Sequence, residues 1–239
     1  MTAQNLPVCF QRHNRSDHHT AMSISRTRIV VVDDHPSTRD GLATRVVLES
    51  DLEIVGEASD VNEAVEMIEE EQPDLAVIDV SLKTGSGIDL VRKVKERFPR
   101  VKLLVWSMYE ESLYGERALR AGSMGYINKQ NATDMIIDAI RAITAGELFI
   151  SEELSAKMLH RVIVGKESAA ISPIESLSDR ELETFRLIGQ GMTTRKIAEA
   201  MVLSPKTIET YRARIKEKLE LDDMPSLTRE ATQWVLENG

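Results

Sequence analysis

The sequence predicts a doubly wound α/β domain followed by a small all-α domain, and three observations support this prediction. From residue 28 to residue 146, short apolar runs alternate with amphipathic stretches of helical periodicity. Two of the apolar runs end in acidic residues, at positions 33–34 and at position 79. From residue 176 onward, only helical patterns with capping signals follow.

The first domain contains five apolar runs that are short enough to be buried parallel strands. The clearest is the third run, which begins after Pro73 and ends at Asp79, before a loop rich in Gly and Ser. The predicted strands cover residues 29–32, 52–58, 75–79, 101–107 and 124–128.

Five helices are predicted to alternate with these strands. Pro99, Gly122 and Gly146 mark three helix ends, and Leu42, Val46 and Val47 are expected to face the core from the first helix. The predicted helices are a stretch ending at residue 49 and residues 61–70, 87–98, 112–121 and 132–145. This alternation predicts a flavodoxin-like five-stranded sheet. Right-handed crossovers then make the first and third strands neighbours.

Polar segments flank the first domain and set the predicted boundaries. Residues 1–26 are polar and irregular, without the apolar core of a secretory signal, so we expect a disordered extension, and Met22 is an alternative start. The α/β domain is assigned to residues 27–147. Residues 148–175 are expected to be a linker with a short amphipathic helix at 152–164, whose apolar side includes Leu154, Met158 and Leu159 together with Val162. The helical domain covers residues 176–239.

Composition limits the class of protein. The single Cys9 excludes an internal disulfide framework and favours a reducing compartment, and no apolar run approaches the roughly 18–20 residues of a membrane span. We therefore expect a cytoplasmic protein with no membrane partner. The net charge of −9 lies mostly in the first domain: residues 26–147 carry −8, whereas residues 176–239 carry −1. The acidity of the whole chain thus does not exclude nucleic-acid binding by the second domain.

The second domain is predicted to contain four short helices. Ser178 and Glu181 form a capping-box pattern at the start of the first, and Thr193 or Thr194 starts the second. After a turn at 202–204, Ser204 caps the third helix and Pro205 occupies its first position. The third helix is expected to end near residue 219, and the fourth to run from 225 or 226 to about 237. Two helices joined by a tight turn, the second longer and more basic, indicate a helix-turn-helix.

The strand-end acids define the candidate chemical site. Asp33 and Asp34 follow the first strand and Asp79 ends the third, so neighbouring strands would bring three carboxylates together, an arrangement that favours a hard cation. The simpler interpretation is a set of ordinary polar residues at strand ends. A phosphatase of the haloacid-dehalogenase kind would need a second acid at Ser81, and a dinucleotide site would need a Gly-rich first turn. A phosphoacceptor aspartate remains, with Ser107 and Lys129 at the ends of the next two strands.

The ordered set of strand-end residues resembles the receiver domain of two-component response regulators. Residues 177–219, from Leu177-Ser-Asp-Arg-Glu-Leu through Ser204-Pro-Lys-Thr-Ile-Glu, are similar to the LuxR-type helix-turn-helix of the NarL/FixJ subfamily. The resemblance implies that Asp79 accepts phosphate from a sensor histidine kinase. It implies Mg²⁺ on Asp34, Asp79 and the backbone carbonyl of Ser81, with Asp33 acting through water. It also implies a switch pair of Ser107 and Tyr126, with Lys129 binding the phosphoryl group. The sequence departs from the family at Val80-Ser81-Leu82 after the acceptor and at Gln130 after the lysine. These departures affect the expected lifetime of the phosphorylated state. Ser81 and Tyr109 are the positions expected to tune that lifetime.

The third helix of the second domain is the expected DNA-reading element. Residues 204–218 carry a net charge of +3, and Lys206, Glu209, Thr210 and Ala213 recur about one turn apart. Glu209 either accepts a hydrogen bond from cytosine or orients an arginine, and the second alternative is slightly favoured. Phosphate contacts are expected from Lys196 at the start of the second helix and from other basic or hydroxyl residues. The full predicted DNA-binding set is Thr193, Lys196, Lys206, Thr207, Glu209, Thr210, Arg212, Ala213, Arg214 and Lys216.

The fourth helix, with Leu227, Ala231, Trp234 and Val235, is where the family dimerises on DNA, although Trp234 is equally explained as core. The sequence thus predicts a cytoplasmic transcription regulator, not an enzyme, that binds an operator as a homodimer once Asp79 is phosphorylated. One alternative is a signalling adaptor that uses its helical domain for protein contacts. Another is a DNA-binding regulator that is independent of phosphorylation.

Overall fold

Five parallel strands form one sheet with the order β2-β1-β3-β4-β5 in the computed structural model, which describes residues 26–130, 135–164 and 173–238. This is the strand order of flavodoxin-like folds, and it confirms the predicted fold class. The strands are β1 (Thr27–Val32), β2 (Leu52–Ala58), β3 (Leu75–Ile78), β4 (Lys102–Ser107) and β5 (Gly125–Asn128).

The register of the central strands places the candidate site. β1 and β3 are paired in parallel with Val32 opposite Ile78, so the residues that follow these two positions emerge at one edge of the sheet. This pairing confirms the prediction that the first and third strands are neighbours. β3 and residues 29–32 of β1 are buried, as expected for a parallel sheet with helices on both faces.

Helices cover both faces of the sheet. Side chains of α1 and α5 pack on one face, and side chains of α2, α3 and α4 pack on the other. The helices of this domain are α1 (Pro36–Val46), α2 (Val61–Glu71), α3 (Gly87–Arg97), α4 (Glu111–Ala121) and α5 (Met135–Ala145). In the described part of the chain, no helix is both long enough and apolar enough to span a membrane.

Two predictions about apolar faces are wrong. α1 ends at Val46, three residues before the predicted end, and Val47 is its C-cap residue with 78% of its surface exposed. Because the helix stops there, Val47 does not continue the buried face of Leu42 and Val46. In the helix predicted at 152–164, Leu154 is buried but Leu159 is 60% exposed, because positions five apart on a helix differ in direction by about 140°.

Three predictions concern residues outside the described ranges: the extension at 1–25, the beginning of the fifth helix at 132–134, and the part of the linker at 165–172. Before that gap, α6 (Glu152–Val164) matches the predicted linker helix. After it, a 3-10 helix (Pro173–Ser176) lies at the predicted boundary between the linker and the helical domain.

The second domain has the four predicted helices, α7 (Asp179–Gly189), α8 (Thr194–Met201), α9 (Pro205–Lys218) and α10 (Met224–Asn238). The capping box of Ser178 and Glu181 is present, and Ser204 Oγ accepts a hydrogen bond from the Thr207 amide. Thr193 caps α8 in the same way through the Lys196 amide. The capping residues therefore fix helix ends where the sequence pattern placed them.

The two domains are in contact through α7 and α8. Asp179, its first residue, accepts hydrogen bonds from Arg92 of α3 at 2.7 Å and from Arg117 of α4 at 3.0 Å. The Gly85 amide in the loop after β3 donates to the Ala200 carbonyl at 2.9 Å. Apolar side chains of α2, α3 and α4 form one connected cluster with the core of the helical domain.

Candidate functional site

The candidate site lies where β1, β3 and β5 end. Asp33 follows β1 and Asp79 follows β3, and both side chains are buried, with 2% and 4% of their surface exposed. Lys129 follows β5 and reaches back to both of them. Its Nζ lies 2.5 Å from Asp33 Oδ2 and 2.7 Å from Asp79 Oδ2. Parallel strands thus bring residues 50 and 96 positions apart into one buried ion-pair cluster.

Burial and the lysine act in opposite directions on the central carboxylate. Burial raises the pKa of Asp79, because the charged form loses hydration, while the Lys129 ammonium opposes this rise. The neighbouring Asp33 carboxylate adds to the rise. Asp79 is therefore a carboxylate in a dry position, where the Lys129 ammonium favours its ionised form.

The carboxylates fit a small hard cation. Oxygen or nitrogen atoms of Asp33, Asp34, His35 and Asp79 all lie within 4.8 Å of one another. Asp79 Oδ1 is buried and accepts no hydrogen bond from any described residue, so it has a free ligand position. Oxygen donors of this kind suit Mg²⁺. His35 was missed by the sequence analysis, although it directly follows the acidic pair; its Nδ1 lies 2.8 Å from Asp34 Oδ1.

The loop after β3 is held close to the acceptor. Ser81 pairs with Ser86 in a short antiparallel bridge, and the Gly87 amide donates to the Val80 carbonyl at 2.8 Å. A Cβ atom on Gly87 would lie 1.8 Å from the Asp79 carbonyl oxygen, so only glycine fits there. The analysis of the sequence noted the Gly/Ser loop but did not assign this role to Gly87.

The residues of the predicted switch lie on β4 and β5. Ser107 is fully buried, and its Oγ has no hydrogen-bond partner among the described residues. The Tyr126 hydroxyl is also buried and donates to the Tyr109 carbonyl at 2.8 Å. Asn128, which the sequence analysis did not single out, donates to the same carbonyl at 3.0 Å. The loop after Ser107 is thereby fastened to β5.

The predicted DNA-reading surface is open to solvent. Lys206, Glu209, Thr210, Ala213 and Arg214 are exposed on α9, whereas Ile208 and Ile215 are buried in the bundle. Lys196 and Thr193 are exposed at the start of α8, although Thr193 Oγ already serves as its cap. The remaining predicted contacts, Thr207, Arg212 and Lys216, are half-buried.

Glu209 joins the two helices of the helix-turn-helix. Its Oε1 accepts from Thr194 Oγ1 at 2.9 Å and lies 3.2 Å from an Arg212 nitrogen, and Arg212 also donates to Thr194. This is the arrangement required by the alternative in which Glu209 orients an arginine.

Comparison with known proteins agrees with both halves of this geometry. Residues 29–141 match the model of the response regulator receiver domain, and residues 175–231 match that of bacterial regulatory proteins of the luxR family. The oxygen regulatory protein NreC of Staphylococcus haemolyticus (strain JCSC1435) is 34% identical over 208 residues, which are 85% of this chain and 96% of that protein. The chain belongs to the NarL/FixJ subfamily of two-component response regulators.

Other similar proteins extend this comparison. NreC of Staphylococcus carnosus (strain TM300) is 33% identical over the same shares of the two chains. RcsB from Salmonella enterica serovar Typhimurium, bound to promoter P1flhDC with phosphomimetic BeF3−, superposes with a TM-score of 0.65 at 23% identity, over 87% of this chain and 100% of that one. A LuxR-family response regulator from Aurantimonas sp. SI85-9A1 gives 0.54 at 29% identity over 58% and 99%. At 23% identity the RcsB likeness supports the fold alone. The NreC relatives are named as regulatory proteins, not as enzymes.

The apolar residues of α10 that were predicted to form a dimer surface lie partly inside the helical bundle. Leu227 and Ala231 are completely buried against α7, so they cannot contact a second chain in this arrangement. The prediction is wrong for these two residues, because the apolar side of a short amphipathic helix is used first by its own bundle. Trp234 is half-buried and its ring lies 5.8 Å from that of Phe185, and Val235 is half-buried beside Gly189.

Proposed function

We propose that this response regulator controls transcription through phosphorylation of Asp79 by a sensor histidine kinase, which switches sequence-specific DNA binding by α8 and α9. The observation that carries the proposal is the contact of Lys129 with both Asp33 and Asp79 at one edge of the sheet. A buried carboxylate with a fixed ammonium beside it is suited to attack a phosphoryl group and to stabilise the phosphorylated product.

In the proposed phosphoryl transfer, one bond to phosphorus forms and one breaks. One carboxylate oxygen of Asp79 forms a bond to phosphorus, and the bond from phosphorus to the kinase histidine nitrogen breaks. The electron pair of that bond stays on the imidazole nitrogen, which leaves as neutral imidazole when the other ring nitrogen carries a proton, and no oxidant is needed. Lys129 neutralises negative charge on the phosphoryl oxygens as they arrive beside it. The free hydroxyl of Ser107 becomes a donor to the same group, which gives its unpartnered Oγ a function.

Asp34, Asp79 and the Ser81 carbonyl would hold Mg²⁺, with Asp33 acting through water. When bound, the cation supplies charge neutralisation and polarises the phosphoryl oxygens. The residues of this chain meanwhile exclude bulk water, because Asp33, Asp79 and Lys129 are all more than nine-tenths buried. The proposed role of the protein is acceptor and switch, and no further enzymatic activity is part of the proposal.

DNA binding is proposed for the exposed side of α9. Lys206 and Thr210, with Ala213, would face base edges, and Glu209 would hold Arg212 for a phosphate. Lys196 and Arg214 would add phosphate contacts, as would Thr193, Thr207 and Lys216. Such contacts are salt-dependent, and the positive charge is local to this surface although the domain as a whole is not basic.

We further propose that the active form binds a two-half-site operator as a homodimer, in the cytoplasm. The buried residues Leu227 and Ala231 are excluded from the dimer surface. The end of α10, where Leu236 is 77% exposed and Trp234 and Val235 are half-buried, is the part that a second copy would contact.

The test is binding of the purified protein to a genomic fragment library, with and without acetyl phosphate or beryllofluoride plus Mg²⁺, beside Asp79→Ala. Selective binding that rises on activation and stays flat in Asp79→Ala is expected. Equal binding in all three states would remove phosphorylation control from the proposal. An absence of specific binding in every state would indicate a signalling adaptor that acts through protein contacts.

A further inference from the structure

A tryptophan lies beside the lysine of the candidate site. The Lys129 ammonium is 5.5 Å from the centre of the Trp106 ring, within the distance of about 6 Å at which an aromatic face attracts a cation. Trp106 is 8% exposed and the Lys129 side chain is 7% exposed, so the contact is shielded from water. Shielding makes this attraction stronger than at an exposed site. The lysine therefore has a third partner besides Asp33 and Asp79.

Strand register brings the ring and the ammonium together. Trp106 of β4 is paired with Ile127 of β5, and both side chains belong to the apolar cluster that α1 and α5 cover. Side chains alternate between the two faces of a strand, so Lys129, two residues beyond Ile127, leaves the strand on the same face. The Lys129 amide donates to the Ser107 carbonyl at 2.7 Å. This bond keeps the end of β5 against β4 beside the ring.

Hydrogen bonding does not explain a tryptophan at position 106. The indole Nε1 is buried and has no hydrogen-bond partner among the described residues. A buried tryptophan ordinarily pairs this N–H group, because leaving it unpaired costs free energy. Packing alone does not require an aromatic ring either, since Leu104 fills the same cluster two residues earlier on the strand. The attraction between the ring face and Lys129 is the interaction that an aliphatic residue cannot supply.

The ring differs from the other two partners of Lys129 in what the proposed reaction does to it. Phosphoryl transfer converts the Asp79 carboxylate into an acyl phosphate, whose charge lies on the phosphoryl oxygens. Asp33 is the residue proposed to act on Mg²⁺ through water. Both carboxylates thus change their charge or their partner during the reaction, whereas the ring keeps its charge distribution. Its attraction for the ammonium therefore persists at every stage.

We propose that Trp106 is a positioning residue for phosphoryl transfer to Asp79: its ring holds the Lys129 ammonium where the phosphoryl oxygens arrive. This inference rests on the proposed function. Before transfer, two short contacts with carboxylates fix the ammonium, and the ring adds little to its position. During transfer those two contacts weaken, so the ring contributes more than in the resting state. A difference of this kind between the two states is what accelerates a reaction.

The experiment measures the rate of Asp79 labelling in the full chain over a range of acetyl phosphate concentrations with Mg²⁺. In this reaction an Asp79 oxygen bonds to phosphorus, the bond between phosphorus and the acetyl oxygen breaks, and acetate leaves with the electron pair. Trp106→Phe keeps an aromatic ring and removes the unpaired N–H group. Trp106→Leu keeps an apolar side chain and removes the ring. Leu104→Ala, in the same apolar cluster, is the matched control for lost packing.

We expect the maximal rate of labelling to be about two- to thirtyfold lower in Trp106→Leu than in the wild type, the range that corresponds to cation–π contacts. The acetyl phosphate concentration that gives half of the maximal rate should be unchanged, because the carboxylates hold the lysine before transfer. The maximal rate of Trp106→Phe should lie between these two. Leu104→Ala should be less stable in urea and should nevertheless be labelled at the wild-type rate.

A second measurement keeps the size of the side chain. The sequence contains two tryptophans, Trp106 and Trp234, so fluorinated tryptophan supplied during expression of Trp234→Phe enters at position 106 alone. Fluorine withdraws electron density from the face of the ring and so weakens its attraction for a cation. The maximal rate should therefore fall with each added fluorine. In the control, Trp106→Phe, fluorine is carried by Trp234 alone and should not change the rate.

Labelling of Trp106→Leu at the wild-type maximal rate would overturn the inference, as would a rate that does not respond to fluorine at position 106. An equal loss of rate in Leu104→Ala and Trp106→Leu would assign the effect to packing and overturn it too. The proposed function would survive each of these results as long as the wild type is labelled and Asp79→Ala is not. An absence of Asp79 labelling in the wild type itself would overturn the proposed function and this inference together.

Discussion

Lys129 Nζ lies 2.7 Å from Asp79 Oδ2, and the two side chains are only 7% and 4% exposed. The contact joins the end of β5 to the end of β3, across β4. Burial raises the pKa of Asp79 and Lys129 opposes that rise, so the lysine favours the ionised form of the proposed acceptor. The same contact therefore affects both stability and chemistry.

Removing the lysine charge should be costly. In Lys129→Met the buried carboxylates of Asp33 and Asp79 lose their cation, and we expect the free energy of unfolding to fall by about 3 kcal/mol. Urea denaturation measures this change. Lys93→Met, at an exposed position of α3, should stay within about 0.5 kcal/mol of the wild type. Equal stability of the two variants would show that the buried pair contributes nothing.

Two glycines should respond in opposite directions to the same substitution. Gly87→Ala places a Cβ 1.8 Å from the Asp79 carbonyl oxygen, and we expect a loss of about 1–3 kcal/mol together with slower Asp79 labelling. Gly41 lies within α1 with nothing within 4 Å of a new Cβ, so Gly41→Ala should stabilise the protein by about 0.5–1 kcal/mol. The midpoints of urea denaturation, at an unchanged slope of the transition, measure both changes in stability. The same sign for both variants would contradict the prediction.

Lys196→Glu should separate stability from DNA binding. Position 196 lies in the first turn of α8, where an acid interacts favourably with the helix dipole by about 0.3–1 kcal/mol. DNA binding should nevertheless weaken, and the slope of log affinity against log salt should become shallower by about 1 as a phosphate contact is lost. Lys93→Glu makes the same charge change in the receiver and serves as the control. An unchanged salt slope would exclude Lys196 from the interface.

Val202 carries backbone strain in the turn of the helix-turn-helix. Its φ is +55°, in the left-handed region that a β-branched residue rarely adopts, and its side chain is 72% exposed. Val202→Gly should therefore stabilise the protein by about 1 kcal/mol, since little packing is lost. Thermal unfolding of the full chain measures the gain. A variant less stable than the wild type would indicate that the valine side chain contributes more than the strain costs.

The capping box of α7 should make stability pH-dependent. Although burial works in the opposite direction, hydrogen bonds from Lys218 and from Ser178 lower the pKa of Glu181 in the folded state. The unfolded value is about 4.3. The stabilising contribution is therefore complete above that pH and disappears as the pH falls through the folded pKa.

Glu181→Gln keeps an acceptor for the Ser178 amide but loses the charge facing Lys218, so it isolates this contribution. The difference in unfolding free energy between wild type and variant should be largest near neutral pH and should shrink below about pH 4. Lys218→Met should show the same trend from the other partner. A difference that does not change with pH would rule out the charge of Glu181 as its cause.

The sequence by itself determined the order of strands and helices, the caps of the second domain, and the residues at four strand ends that form the candidate site. Hydrophobic periodicity and capping are local properties, so they can be read without coordinates. Topology rules then placed Asp33 and Asp79 at neighbouring strand ends. The domain boundaries and the individual DNA contacts remain predictions.

Only the tertiary structure decided which apolar side chains are used inside the chain and which polar groups meet across it. Periodicity marks Leu227 and Ala231 as apolar but cannot tell a bundle core from a dimer surface, and the bundle buries both. Val47 continues an apolar pattern after its helix has stopped. Arg186 and Tyr109 are 77 residues apart and lie in different domains. Their contact depends on how two finished domains pack, and no local pattern in either segment contains that information.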